Sequence, residues 1–542
     1  MSCSPRWNYG DILDGLDAGF PADAPALIQG ERTICWGELG RRSNNLARAL
    51  LEAGLEPGDK VALYLRNEPA YVEGLAACFK MRGVHVNVNF RYLDDELHYI
   101  LDNSDAAALI YGEEFHANVE SLRPRLPGLK ALIQAGGEKR PEGVLDYEET
   151  VTAGDGAALD IERSPEDLLF IYTGGTTGMP KGVMWRHEDV WGALGYGVNA
   201  VCNRGEAPAT PAMHIANAIR HGAGVRQVPC CPLMHGTGLL TAITTLTSGG
   251  CLVLLQHPSF DPVELFDAVD RNRVMGLVIV GDAFAKPMLK TLDEHPGRWQ
   301  LSSLKAIVSS GVMWSREVKQ GLLRHQPGMM LVDTFGSSEA VGFGSSVTTA
   351  DGETRTARFQ IGEHCKVFSE DHREIAPDSG EKGFIARSGP IPVGYYKDPK
   401  KSAETFPTID GVRYSIPGDW CTVEADGTLT LFGRGSACIN TAGEKVYPEE
   451  VEEALKTHPD VEDALVLGLP DEKWGQAVTG IVQLSGEAEL DEDALRSHVR
   501  QQLAGYKTPK RILAVERMFR APNGKADYKS ATTFAADALA ST

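Results

Sequence analysis

From about residue 25 the chain alternates short apolar runs with longer stretches in which apolar residues return every three or four positions. The first pattern is that of buried strands and the second that of helices with one apolar face. "ALIQGERTICW" reads as a hairpin, "GELGRRSNNLARALLEAG" as a helix closed by Gly54, and "KVALYLRN" as a strand. The alternation continues through "AAALIYG", "LVLLQH", "GLVIVG" and "KAIVSSG". Strands separated by helices predict layered α/β units with largely parallel sheets.

Near residue 380 the texture changes to short strands and tight turns, in "EKGFIARSG" and then "CTVEADGTLTLFGR", where Asp426 and Gly427 stand between two alternating runs as a hairpin turn does. This stretch predicts a β-rich subdomain. After it come a helix opened by Pro448 in "YPEEVEEALKTH", strands in "VEDALVLGLP" and "AVTGIVQL", a helix in "DEDALRSHVRQQL" and a strand near "RILAVE". The expected division is a large N-terminal domain, 1–433, of layered α/β subdomains with the β-rich subdomain, followed by a small α+β domain, 434–542. No internal repeat is visible.

Composition narrows the classes. A chain of 542 residues is too long for one core and calls for several structural units. A net charge of −21 excludes a general affinity for nucleic acid or anionic membrane, so an anionic ligand needs a local site. The ten cysteines are scattered without any CxxC, which signals neither a disulfide framework nor zinc. The first residues lack a basic segment followed by an apolar one, and no run of about 20 apolar residues occurs. A cytoplasmic protein is expected.

One stretch carries phosphate chemistry on its face. "YTGGTTGMPKG", Tyr172 to Gly182, is rich in glycine and threonine and ends on a lysine. A Walker loop needs glycine directly before its lysine and Ser or Thr directly after it. Here Met179 and Pro180 intervene and Gly182 follows, so a helix cannot start at the lysine and the loop must hold phosphate by amides and hydroxyls as a nest. The apolar run "DLLFIY" before it and the spacing of Val190, Leu194 and Val198 after it predict strand, loop, helix.

Further along stand "DTFGSSEA" (Asp333 to Ala340), "PGDW" (Pro417 to Trp420), "GRGSACINTAGEKVYPEEVEEAL" from Gly433, and "PNGK" (Pro522 to Lys525). These motifs, in this order, resemble those of the adenylate-forming superfamily of acyl-CoA synthetases, adenylation domains and luciferases, and the likeness covers nearly the whole chain. It implies two half-reactions. A carboxylate first attacks the α-phosphate of ATP to give an acyl-adenylate and pyrophosphate, and a thiol then displaces AMP.

The resemblance also implies roles. Thr173, Gly174, Gly175, Thr176, Thr177 and Lys181 would hold the β- and γ-phosphates, and Glu339 would ligate Mg2+, a hard cation that prefers carboxylate and phosphate oxygen. Ser338, where threonine is usual, keeps a hydroxyl near the α-phosphate. Phe335 would stack on adenine and Asp333 would accept from its amino group, with Ser310, Gly311, Thr334 and Gly336 completing the nucleotide site. Asp419 would accept both ribose hydroxyls, a bidentate geometry suited to a vicinal diol, and Arg434 would reach the same sugar. Lys525 would bridge the substrate carboxylate and the α-phosphate, then leave with a mobile C-terminal domain. Gly443, in "GEK" with Glu444 and Lys445, matches a backbone approach for the pantetheine of CoA.

The chain also departs from the family. Ser436 stands at the hinge position that is commonly Asp or Lys, and Asn440 and Ala442 replace two further lysines. In "CPLMHGTGLL", His235 falls at the position lining the acyl pocket, where amino-acid-activating relatives carry Asp, which argues for a plain carboxylic acid. Glycines 236, 238, 342 and 344 are expected to leave room for a bulky acyl group, and the phosphate loop and C-terminal ending look similar to bacterial synthetases for fatty acids or steroid side-chain acids.

The leading expectation is an AMP-forming acyl-CoA ligase using ATP, Mg2+ and CoA on a medium- or long-chain fatty acid or a steroid-type acid. A homodimer is the candidate assembly. A ligase that loads a separate carrier protein is the rival; since the chain ends at Thr542, no fused carrier is expected. A non-catalytic nucleotide sensor is the alternative of another class, and the presence of Lys181, Glu339 and Lys525 argues against it.

Overall fold

The apolar runs form strands and the amphipathic stretches cover them. The computed structural model describes residues 6–540 except 93, 138, 174–179, 195–207, 223, 313, 353–357, 435–438, 442, 443, 447, 472–474, 504, 522 and 523. The described residues divide into two units, one within 1–174, 180–356 and 388–415, the other within 357–387 and 416–542.

The first unit holds two sheets. In one, neighbouring strands run Ala340–Thr348, Met330–Ser337, Ala306–Ser310, Gly276–Ile279, Arg226–Pro229, Cys251–Leu254, Pro25–Gln29 and Arg32–Cys35. All adjacent pairs are parallel except the two outermost, Met330–Ser337 with Ala340–Thr348 and the hairpin Pro25–Gln29 with Arg32–Cys35. In the other, the order is Gly394–Tyr395, Lys181–Arg186, Leu168–Thr173, Val84–Asn87, Lys60–Tyr64, Ala106–Gly112, Ala131–Ala135 and Leu145–Asp146. Its inner strands are buried on both faces: Leu63, Ile110, Ile133 and Leu169 enter one core, and Ala62, Leu109, Leu132 and Phe170 the core on the opposite side. The first of these cores also takes Leu46, Ala47 and Leu50 from one face of the helix Trp36–Glu52.

The stretch after the phosphate loop differs from its sequence pattern. "KGVMWR" is a strand, Lys181–Arg186, antiparallel to Leu168–Thr173, and only then does the helix His187–Leu194 begin. The loop therefore joins two strands of a hairpin. Val183 and Trp185 are fully buried, and a long-range pairing with Gly394–Tyr395 secures the strand from its other edge. Val198 lies outside the described residues.

The second unit has an antiparallel part, with Cys365–Phe368 next to Gly383–Arg387, then Asp419–Val423, Thr428–Arg434 and Arg358–Ile361. Gly427, at φ +77°, makes the turn between Asp419–Val423 and Thr428–Arg434 that the Asp-Gly pair predicts. The remainder is an α+β sheet: Val461–Asp471 lies antiparallel to Gly475–Leu484, which takes Arg511–Val515 in parallel. Val451 and Leu455 of the helix Pro448–Lys456 cover one face, and Ala531 and Ala535 of the helix Tyr528–Ala540 the other. The fold is the mixed α/β class, with one larger and one smaller unit, expected from the sequence. Among the described residues, no helix is long and apolar enough to cross a membrane.

Candidate active site

In a parallel sheet with helices on both faces, ligands meet the carboxyl ends of the strands. The strands Ala306–Ser310 and Met330–Ser337 pair there in register, Ser309 opposite Asp333 and Ser310 opposite Thr334, so the predicted nucleotide residues Ser310, Gly311, Asp333, Thr334, Phe335 and Gly336 come together. Thr334 Oγ1 donates to the Ser309 carbonyl at 3.1 Å and ties the two strand ends. Phe335 is buried against Phe343, ring centres 5.2 Å apart. Asp333 is ion-paired with the buried Lys319. Burial pushes its carboxyl up from the ordinary range, and Lys319 opposes the rise.

Ser338 and Glu339 form the turn between Met330–Ser337 and Ala340–Thr348. Three contacts fix that turn: Trp185 Nε1 donates to the Ser338 carbonyl at 2.8 Å, Ser415 Oγ to the Glu339 carbonyl at 2.7 Å, and the Tyr395 hydroxyl to Glu339 Oε1 at 2.9 Å. Glu339 is 7 % exposed, a carboxylate shielded from bulk water and presented at a turn. Among the described residues no cluster of three or more His, Cys, Asp or Glu is arranged to hold a metal ion. One carboxylate together with substrate phosphates is nonetheless how Mg2+ is commonly held, because the ion retains water and dehydrates reluctantly. Glu339 fits that donor set.

Thr173 and Lys181 are the last cross-strand pair before the phosphate loop, whose residues Gly174, Gly175, Thr176 and Thr177 lie outside the described residues. The Lys181 ammonium is ion-paired with Asp398, which holds the Asp398 carboxyl below its usual range. Tyr395 and Asp398 thus sit three residues apart on one segment, one bonded to Glu339 and the other to Lys181. Asn87 ties the end of the strand Leu168–Thr173 to Met234: it accepts from the Tyr172 amide at 2.7 Å and donates to the Tyr172 carbonyl at 2.9 Å and the Met234 carbonyl at 2.6 Å. Met234 precedes His235, the half-buried residue that caps the helix Gly236–Thr247.

The glycines near His235 divide. A methyl group on Gly236 would stand 3.9 Å from Ser338 Oγ, ordinary contact, so that position does leave space. On Gly238 it would stand 2.3 Å from the Pro232 carbonyl. Gly238 is required by backbone packing and opens no pocket.

In the second unit, Asp419 and Arg434 are direct cross-strand partners, which brings together the two residues assigned to the ribose. Asp419 is 7 % exposed, at the start of its strand. Lys525 is exposed on a tight turn in which Ala521 N donates to the Lys525 carbonyl at 2.7 Å and Arg520 pairs with Ala526. Gly443 and Ser436 lie outside the described residues, as does Ala442, and the side chains of Arg434, Asn440, Glu444 and Lys445 are likewise not described. Asn87, Lys319, Tyr395 and Asp398 carry no signal in the sequence, because an isolated polar residue has no period and its partner, 14 residues away for Lys319 and 56 or more for the contacts Asn87–Met234, Tyr395–Glu339 and Asp398–Lys181, is fixed only by the fold.

The strand-end residues Ser310, Asp333 and Thr334, the ion pair Lys181–Asp398 and the shielded carboxylate Glu339 stand in the first unit. The pattern of the AMP-binding enzymes matches residues 17–396, and that of the AMP-binding enzyme C-terminal domain matches 450–525. The chain is 40 % identical over 514 residues to a 3-oxocholest-4-en-26-oate–CoA ligase of Rhodococcus rhodochrous, covering 93 % of this chain and 92 % of that protein. It is 40 % identical over 532 residues to a medium/long-chain-fatty-acid–CoA/3-oxocholest-4-en-26-oate–CoA ligase of Mycobacterium marinum, covering 96 % and 95 %. The solved anthranilate CoA ligase AuaEII, in complex with anthranoyl-AMP, superposes with a TM-score of 0.83 at 23 % identity, over 99 % of each chain, which shows the shared fold. The chain belongs to the AMP-binding enzyme family, and it is an acyl-CoA ligase of the AMP-forming type.

Proposed function

We propose that this ligase acts, in the cytosol, on a medium- or long-chain fatty acid or a steroid side-chain acid, forming the acyl-adenylate and then the CoA thioester. The substrate class rests on the two relatives at 40 % identity, whose names state those acids. The observation that carries the site assignment is the segment on which Tyr395 reaches Glu339 and Asp398 reaches Lys181. It couples a phosphate-binding cation to a carboxylate suited to Mg2+.

In this reading Lys181, with Thr173, Gly174, Gly175, Thr176 and Thr177, receives the β- and γ-phosphates. The Ser338 hydroxyl meets the α-phosphate. Glu339 holds Mg2+, which when bound neutralises phosphate charge. Asp333 and Phe335, with Ser310, Gly311, Thr334 and Gly336, take the base, and Asp419 with Arg434 takes the ribose. His235 and Gly236 border the acyl carboxylate. The acid oxygen attacks the α-phosphorus as the bond to pyrophosphate breaks, with Lys525 placing its ammonium between the two anions. The thiol of CoA then attacks the acyl carbon and AMP leaves, the pantetheine passing Gly443. The functional division remains 1–433 and a moving 434–542.

Lys525→Ala tests the assignment. Acid-dependent pyrophosphate exchange should fall at least 100-fold, while thioester formation from preformed acyl-adenylate stays within about threefold of wild type. Equal loss or equal survival of both half-reactions contradicts the role.

A further inference from the structure

Lys319 is 1 % exposed. Lysine is almost never fully buried without a partner, and its ion pair is with Asp333. The lysine lies on the helix Arg316–His325 among Val318, Leu322 and Leu323, with the Trp314 ring centre 5.6 Å from Nζ. Asp333 stands on the strand Met330–Ser337, one residue before the Ser310–Thr334 pair that ends the parallel register. Among the described residues a second charge that acts on Asp333 is Asp282, first residue of the helix Asp282–Glu294, whose Oδ1 accepts from the Ser315 amide at 3.0 Å.

Stability does not explain this pair, because replacing a buried ion pair with apolar groups is often neutral or favourable. What the pair supplies is a cation beside the strand-end carboxyl, which favours its ionised form against the upward push of burial. An ionised carboxylate only accepts hydrogen bonds, whereas a protonated one also donates.

We propose that Lys319 is a positioning residue for nucleobase choice: it holds Asp333 as an acceptor-only carboxylate, so the site takes a base that presents an exocyclic amino donor, adenine, and refuses one that presents a carbonyl there, guanine. The inference rests on the reading of Asp333 as the adenine partner. Without Lys319, a shielded carboxyl beside Asp282 takes up a proton and offers a donor to guanine. Raising the pH removes that proton, so discrimination returns.

The test is acid-dependent pyrophosphate exchange by the full chain with ATP and with GTP, at pH 6 and pH 8.5. The ratio of kcat/KM values is the readout, since it does not depend on how much protein is folded. Asp333→Asn should lower the ATP-to-GTP ratio at least tenfold at both pH values. Lys319→Met and Lys319→Gln should lower it at least tenfold at pH 6 and regain several-fold at pH 8.5, and Lys319→Arg should keep it within about threefold. An unchanged ratio in Lys319→Met and Lys319→Gln, with a changed one in Asp333→Asn, overturns the role of Lys319. An unchanged ratio in Asp333→Asn overturns the adenine reading itself.

Discussion

Lys181, the lysine that closes the glycine and threonine loop, is ion-paired with Asp398, at the N-cap of the helix Pro399–Thr405. The two side chains are 41 % and 27 % exposed, so water screens the pair and its worth is about 1 kcal/mol or less. If Lys181 receives phosphate as proposed, it exchanges this partner for ATP. Lys181→Met is therefore expected to raise the KM for ATP about tenfold or more. Asp398→Asn, which removes the competitor, should lower that KM about two- to fivefold with little change in melting temperature. Steady-state kinetics with varied ATP decides this, and a rise in KM for Asp398→Asn would mean that the carboxylate orients the lysine and does not compete for it.

Arg520 grips Asp463 with two parallel bonds, Nε to Oδ2 at 2.5 Å and Nη2 to Oδ1 at 2.7 Å, and its Nη1 reaches the Gly524 carbonyl at 3.2 Å, the residue before Lys525. On the other side of the turn, the Tyr528 hydroxyl donates to Glu452 at 2.8 Å. A planar guanidinium locks its partners in one geometry, which a lysine cannot reproduce. Arg520→Met is expected to lower acid-dependent pyrophosphate exchange about tenfold or more and to leave thioester formation from preformed acyl-adenylate within about threefold. Loss of both half-reactions in proportion would assign Arg520 to general stability.

Most elements were legible because their signals are local. The apolar runs, the Asp-Gly turn and the helix begun at Pro448 needed only neighbouring residues. The strand Lys181–Arg186 was hidden because its partners include Gly394–Tyr395, more distant than any periodic pattern reaches. The site divides in the same way. Lys181, Glu339, Asp419 and Lys525 stand in motifs, whereas Asn87, Lys319 and Asp398 matter through contacts made only after folding. Gly238 shows the opposite error, since a glycine read as room for substrate is instead a close backbone approach.

Two buried histidines set an acid limit. Burial pulls His187 down to about 4 and His85 down to about 3 from the usual 6.5. Both are neutral in the folded chain and take up protons on unfolding. Their contribution is complete above pH 6.5 and is lost as pH falls toward the folded values. At pH 5 the loss is about 2 kcal/mol for each. Thermal unfolding followed from pH 7.5 to pH 5 should show a falling midpoint, and His187→Gln should flatten that fall.

Arg42 and Glu73 form a buried pair, 2.6 Å from Nε to Oε1, with side chains 6 % and 0 % exposed, and the Tyr147 hydroxyl also donates to Glu73. Arg42 also bonds the half-exposed Glu148, Nη1 to Oε2 at 2.9 Å, so Glu73→Ala leaves the guanidinium with that one carboxylate and removes the tyrosine's acceptor, and a loss of about 3 kcal/mol is expected in denaturant unfolding. The double change Arg42→Met with Glu73→Leu should cost less than Glu73→Ala alone.

The central claim is that this chain joins a carboxylic acid to CoA through an adenylate. The direct measurement supplies purified protein with ATP, Mg2+, CoA and a panel of fatty and steroid side-chain acids, and quantifies nucleotide and thioester together. The account predicts AMP, pyrophosphate and acyl-CoA in equal amounts with at least one acid of the panel. Release of ADP in place of AMP, or acyl-adenylate that accumulates without thioester, would contradict it.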